Sequence, residues 1–168
     1  TETVKIGLVG KYVELQDAYK SIDESLLHAA IYNDRKLDLH LFHSEKITDE
    51  NAASQLADMD GILIAPGFGQ RGIEGKFSAI KFARENNKPL FGICLGMQCM
   101  VIEFARNVLG YSDANSTEME PNTPHKVIDM MEEQKTVINL GGSMRLGAFD
   151  CVLKKDSKAY QAYGKEHI

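Results

Sequence analysis

The chain of 168 residues is short of cysteine, lacks any excess of positive charge and contains no long apolar run. Each shortage removes a class of protein. The three cysteines, Cys94, Cys99 and Cys151, are an odd number with no CxxC pair and no Cys/His cluster. That excludes a disulfide framework or a zinc-finger-type metal site, and implies free thiols in a reducing, cytoplasmic setting. A net charge of −5 argues against a generic nucleic-acid or anionic-membrane binder, although a local basic patch stays open. No segment approaches the roughly 20 apolar residues that span a bilayer, and Thr1-Glu2-Thr3-Val4 does not read as a signal peptide. Internal repeats and low-complexity tracts are absent as well.

What is present is the composition of an ordinary soluble domain, 43% hydrophobic and 26% charged, in a chain long enough to bury one core without covalent or metal cross-links. Val4 to Val9 reads as a short apolar strand ending at Gly10. Asp17 is placed to cap a helix running to about Tyr32, with Ala18, Ile22, Leu26 and Ala29/Ala30 on one face. Leu37 to Phe42 alternates as a second strand, and Thr48 opens a short helix through about Ala57. Gly61 to Ala65 is a fully apolar strand, followed by the loop Pro66 to Gly72 and a helix over Glu74 to Glu85. A turn at Asn86–Pro89 leads to a fourth strand, Leu90 to Ile93, and Leu95 to Arg106 reads as the next helix. Residues 107–135 are polar with little periodicity and read as a long loop. From Thr136 to Leu153 the pattern returns to short strands around Gly141-Gly142, an antiparallel appendage.

Strands alternating with helices at this spacing imply βαβ units, and hence an α/β fold with an open, doubly wound, mostly parallel sheet covered by helices on both faces. Such sheets bind ligands at the carboxyl ends of their strands. Both unusual loops, Pro66–Gly72 and Gly92–Gly96, fall there, and half of the fourteen glycines lie between Gly61 and Gly96.

Gly92-Ile93-Cys94-Leu95-Gly96, after an apolar strand and before a helix, is the cysteine form of a nucleophile elbow. A helix starting at Leu95 would aim free amides and its positive dipole end at the sulfur, favouring thiolate. An attacked carbonyl becomes an oxyanion, for which the amide of Leu95 and one in Gly67-Phe68-Gly69 are candidate donors. The same five residues also fit a buried core cysteine between turn-forming glycines. The strand-to-helix placement and the second glycine loop favour the nucleophile. Cys99 reads as a packing residue and Cys151 as a strand residue.

Gly92-Ile93-Cys94-Leu95-Gly96-Met97-Gln98 resembles the nucleophile motif of class I, triad-type glutamine amidotransferases. Four further stretches resemble the amidotransferase domain of CTP synthases. They are Gly7–Tyr12 with Leu15–Ser21, Gly67–Gly72 with Glu74-Gly75-Lys76, Asn115–Glu118, and Gly141–Gly147. The five occur in the family's order and span essentially the whole chain.

The resemblance implies hydrolysis of L-glutamine to glutamate and ammonia. The ammonia would pass to a synthetase domain of the same polypeptide that aminates UTP to CTP with ATP and magnesium, in an enzyme that is typically a homotetramer and is activated by GTP. By position, Cys94 would form the γ-glutamyl thioester, Gly67 and Leu95 would offer backbone amides, and Phe68 would lie over the glutamine. Gln98 and Glu118 would hold its amino-acid end, a carboxylate facing an α-ammonium being chemically apt for Glu118. Without the family match, Glu118 reads as a solvated loop glutamate. Arg71, Gly72 and Glu74 would belong to the loop the family uses around GTP, though Arg71 equally fits an ordinary surface charge. No cofactor or metal is expected in this domain.

The chain departs from the family in one respect. A cysteine nucleophile of this class needs a histidine base with an acidic partner, and the family's His-Pro-Glu motif is not among the 168 residues. Nor are its arginine-rich segment and closing strands. The chain therefore reads as an incomplete amidotransferase domain over residues 1–168. His43-Ser44-Glu45 has the right His-x-Glu spacing, but in the commonest strand order (2-1-3-4) it sits three strands, roughly 14 Å, from Cys94. His28 falls in a helix, His125 in the long loop and His167 at a frayed end. Two other readings stay open: an inert binding or assembly module, and another cysteine hydrolase or redox protein with the same elbow.

Overall fold

The computed structural model describes residues 2–15, 17–131 and 148–168. Its compact units are Thr1–Asp129 and Met130–Ile168. In the first, the elements run β1 (Glu2–Gly10), α1 (Lys20–Tyr32), β2 (Arg35–His43), a 3-10 turn (Ser44–Lys46), α2 (Ala52–Leu56), β3 (Gly61–Ile64), α3 (Ile73–Glu85), β4 (Leu90–Gly92), α4 (Leu95–Asn107), β5 (Asn115–Ser116) and β6 (Lys126–Ile128).

β1 to β4 form one parallel sheet in the order β2-β1-β3-β4. This is the expected doubly wound arrangement. Side chains alternate across a strand, and here the alternation divides the core in two. Val9, Ile62 and Ile64 face a layer made by Leu56 of α2, Phe77 and Ile80 of α3, and Leu95, Cys99 and Ile102 of α4. Leu8, Leu63 and Ala65 face the other way, against Tyr19 and against Ile22 and Leu26 of α1. Every residue of β3 is buried, as its unbroken apolar run requires of a central parallel strand.

α3 and α4 are joined by more than apolar contact. Glu103, 1% exposed, accepts hydrogen bonds from Arg84 Nε at 3.0 and 3.1 Å and from Arg84 Nη2 at 2.7 Å.

The structure corrects the sequence reading at three places. α1 begins at Lys20 rather than after Asp17, because Tyr19 is buried against the end of β1 and the preceding residues are taken up in turns. The long loop contains β5 and β6, a parallel pair too short to leave a period in the sequence. It is secured by Asn115 N donating to the His125 carbonyl (3.1 Å) and Thr123 Oγ1 donating to the Asp113 carbonyl (2.7 Å). In the second unit, a six-residue helix α5 (Lys158–Tyr163), capped by the Ser157 hydroxyl, was not anticipated. There His167 is not frayed. It forms an antiparallel bridge with Val152, flanked by reciprocal bonds between Cys151 and Ile168. The strands expected around Gly141-Gly142, and the Gly141–Gly147 motif, lie outside the described residues.

Candidate active site

β3 and β4 are adjacent, with Ile64 opposite Gly92, so the loops that leave their carboxyl ends emerge side by side. β4 stops at Gly92, α4 starts at Leu95, and Cys94 occupies the cap position between them. Its backbone sits at φ 54° and ψ −112°. That conformation lies outside the left-handed basin even Asn and Asp visit, and marks a strained turn of the nucleophile-elbow kind.

The two elbow glycines make the turn possible. A Cβ on Gly96 would lie 2.2 Å from the Ile64 carbonyl oxygen, and one on Gly92 would lie 2.6 Å from the Gly96 carbonyl carbon and the Met97 nitrogen. The turn is so tightly wound on the end of β3 that neither position has room for a side chain. Cys94 itself is exposed. Leu95, as first residue of a thirteen-residue helix, has an amide with no intrahelical acceptor, and the dipole's positive end lies at the same place. Cys99, in contrast, is 0% exposed, and burial pushes its thiol up to about 11, so it stays protonated and inert.

The neighbouring loop carries Phe68, 57% exposed. Two lysines hold this loop from below. Lys11, at the end of β1, donates its ammonium to the Phe68 carbonyl, and Lys76, from the first turn of α3, donates to the Ala65 carbonyl at 2.7 Å. Gln70 Nε2 donates to the Met119 carbonyl, which ties the same loop to the turn that carries Glu118. Glu118 is exposed, with its amide donating to Ser116 Oγ at 3.2 Å. Gln98 lies one helical turn beyond Cys94, and its Oε1 is buried with no hydrogen-bond partner among the described residues. A buried acceptor left unpaired costs free energy in the empty site and is available to a donor that enters it.

Cys94, Leu95, Gly67, Phe68, Gln98 and, through Gln70, Glu118 thus belong to one group of loops at the carboxyl end of the sheet. Sequence reading missed Lys11, Lys76 and Gln70 as loop anchors. All three sit inside the matched stretches, but nothing in their spacing signals which way they point. Arg71, Gly72 and Glu74 lie where the loop enters α3. Arg71 is 3.8 Å from Glu45 and 5.7 Å from the Tyr12 ring centroid, Gly72 has φ 75°, and Glu74 is exposed in the first turn of the helix.

His43 ends β2, at the far edge from β4, and turns to its own loop: its Nδ1 accepts from the Glu45 amide at 3.3 Å. The strand order therefore separates it from Cys94 as expected. His28 is exposed on α1. His125 pairs with Asp113 at 2.5 Å and stacks on Tyr111. Among the described residues no group of three or more His, Cys, Asp or Glu is arranged to hold a metal, and no helix is long and apolar enough to cross a membrane.

Comparison with known proteins identifies the family and the fold. The model of the glutamine amidotransferase class-I family matches residues 14–167. CTP synthase from Porphyromonas gingivalis is 70% identical over 167 residues, 99% of this chain and 31% of that protein. The Bacteroides fragilis CTP synthase is 67% identical over 168 residues, 100% of this chain and 32% of that protein. The chain thus spans about a third of the length of these relatives. Among solved structures, the glutaminase domain of Trypanosoma brucei CTPS with bound acivicin superposes with a TM-score of 0.86 at 38% identity, over 98% of this chain and 64% of that one. The chain belongs to the class-I glutamine amidotransferase family.

Proposed function

We propose that this chain is the glutamine-hydrolysing part of a CTP synthase, with Cys94 as nucleophile. The observation that carries the reading is the exposed cysteine held at φ 54° between β4 and α4, next to the 66–69 loop. A sulfur so placed is open to substrate and sits at a helix amino terminus.

The Cys94 thiolate attacks the γ-carboxamide carbon of L-glutamine, and the carbonyl π pair moves onto oxygen. The resulting oxyanion is met by the Leu95 amide and by the amide of Gly67, donors fixed before the charge develops. Gln98, whose Oε1 has no partner among the described residues, accepts from the substrate α-ammonium, and Glu118 adds a carboxylate to the same group. Phe68 covers the substrate. Collapse of the tetrahedral intermediate breaks the C–N bond. The nitrogen leaves as ammonia once it has gained a proton, and water then cleaves the γ-glutamyl thioester to glutamate and free thiol. The base that shuttles these protons is assigned to the family's His-Pro-Glu motif.

In the full-length protein the ammonia goes to a synthetase domain of the same polypeptide. There it aminates UTP to CTP at the expense of ATP with magnesium, in a cytoplasmic homotetramer activated by GTP through the loop of Arg71, Gly72 and Glu74. The two CTP synthase relatives and the acivicin-bound neighbour support this reading. The test is peptide mass spectrometry of the full-length protein after treatment with acivicin, an electrophilic glutamine analogue. One adduct on Cys94, abolished in Cys94→Ala, is expected; labelling elsewhere, or labelling that survives the substitution, sinks the assignment.

A second reading has its own observation, the lack of a His-Pro-Glu motif among the 168 residues. On that reading the chain by itself displays the nucleophile but does not turn over, and serves as a binding or assembly module. Steady ammonia release by the 168-residue chain, lost in Cys94→Ala, refutes it.

A further inference from the structure

Lys76 is 1% exposed, the largest of the fully buried side chains, and the proposed chemistry leaves it without a task. Its position is costly twice over. Burial in low dielectric penalises an ammonium and pulls its pKa below the usual lysine range. It also lies in the first turn of α3, where the helix dipole repels positive charge. A residue needed only to fill space there would be apolar. Among the described residues the ammonium has one hydrogen-bond partner to justify it, the Ala65 carbonyl at 2.7 Å.

That carbonyl is the last fixed point of the sheet before the glycine loop. Ala65 N still bonds to Val9 O at 2.9 Å as a continuation of β3. Pro66 follows and has no N–H to anchor the chain. The next anchored group is the Phe68 carbonyl, held by Lys11. The peptide that presents the Gly67 amide therefore lies between two carbonyls, each held by a lysine. The Cys99 and Cys94 sulfurs favour the Lys76 charge and Lys11 opposes it, all more weakly than the burial.

We propose that Lys76 is a positioning residue for the oxyanion site: by fixing the Ala65 carbonyl it sets the orientation of the Pro66–Phe68 backbone, and hence the aim of the Gly67 amide at the developing oxyanion. The proposal rests on the glutaminase reading above, and the experiment separates the two. Lys76→Met keeps an unbranched apolar stem one bond shorter than the lysine and deletes its donor.

In the full-length protein, Lys76→Met is expected to lower kcat for glutamine hydrolysis by about 100-fold, the range for loss of an oxyanion donor, with KM within threefold. Alkylation of Cys94 by iodoacetamide, a displacement that forms no oxyanion, stays within threefold of wild type. Hydrogen exchange at the Phe68 and Gly69 amides rises about tenfold, a readout independent of turnover. Continued protection of buried Cys99 from the same reagent reports that the variant is folded. If Lys76→Met does not fold, Lys76→Leu, apolar and likewise without a donor, carries the same expectations. A kcat within twofold of wild type, a loss confined to KM, a parallel loss of iodoacetamide reactivity in a folded variant, or unchanged exchange in the loop overturns the proposal. Wild-type protein that releases no ammonia contradicts the glutaminase reading instead, and the exchange measurement still decides the role of Lys76.

Discussion

At Cys94 the backbone is held where a side chain is unwelcome, with φ 54° and ψ −112°. Conformations of this kind cost on the order of 1–3 kcal/mol and persist only when the surroundings over-determine them. Here the surroundings are the Gly96 backbone packed against the Ile64 carbonyl, the bond from Ile93 N to Ile64 O at 3.1 Å, and the start of α4. A glycine at position 94 would relieve the strain, partly offset by its larger unfolded-state entropy of about 0.4–1 kcal/mol. Cys94→Gly is therefore expected to be about 1 kcal/mol more stable than Cys94→Ala in urea denaturation, with both unreactive toward a glutamine analogue. A Cys94→Gly variant less stable than Cys94→Ala would show that the turn is not strained. The exposed turn at Cys94 was legible from the five-residue pattern only together with its place between a strand and a helix and the second glycine loop, since the pattern alone also fits a buried core cysteine. The anchors of the neighbouring loop were not. Lys11, Gln70 and Lys76 act through the directions of long, flexible side chains, which local sequence does not encode.

Among the elements, the four strands and helices α1, α3 and α4 followed from hydrophobic period and glycine placement, while the strand order was taken as the commonest for such folds and is the one observed. What escaped was short or tertiary. β5 and β6, at two and three residues, are below the length at which periodicity exists, and α1 starts late because Tyr19 is drawn under the sheet. The pairing of α3 with α4 through Arg84 and Glu103 was likewise invisible, as the partners are 19 residues apart. This pairing keeps the elbow helix in register with the helix that carries Lys76. Replacing Arg84 by Met leaves the Glu103 carboxylate buried without its cation. The usual loss for breaking a buried pair is about 3–5 kcal/mol, reduced here because the Arg84 side chain is 28% exposed. A destabilisation of about 2–3 kcal/mol is expected by urea denaturation. The double variant Arg84→Met/Glu103→Leu recovers most of it, because a well-packed apolar pair avoids the desolvation cost. A single variant within 0.5 kcal/mol of wild type, an order of magnitude below the ~3–5 kcal/mol benchmark, would show that the pair is already solvated.

For the molecule as a whole, the α/β sheet places two glycine-rich loops together at its carboxyl end, where doubly wound folds bind their ligands. The described residues bring the exposed Cys94, the helix-initiating Leu95, the Gln98 acceptor and the Glu118 turn together on one such platform. They also separate His43 from Cys94 by the full order of the sheet. The central claim, that Cys94 converts glutamine to glutamate and ammonia, is tested most directly by coupled measurement of ammonia release from L-glutamine by the full-length protein and its Cys94→Ala variant. The account predicts saturable release by the wild type and a loss of at least about 1,000-fold in the variant, the scale of removing a covalent nucleophile. Release that persists in folded Cys94→Ala, or its absence from folded wild type, would contradict it.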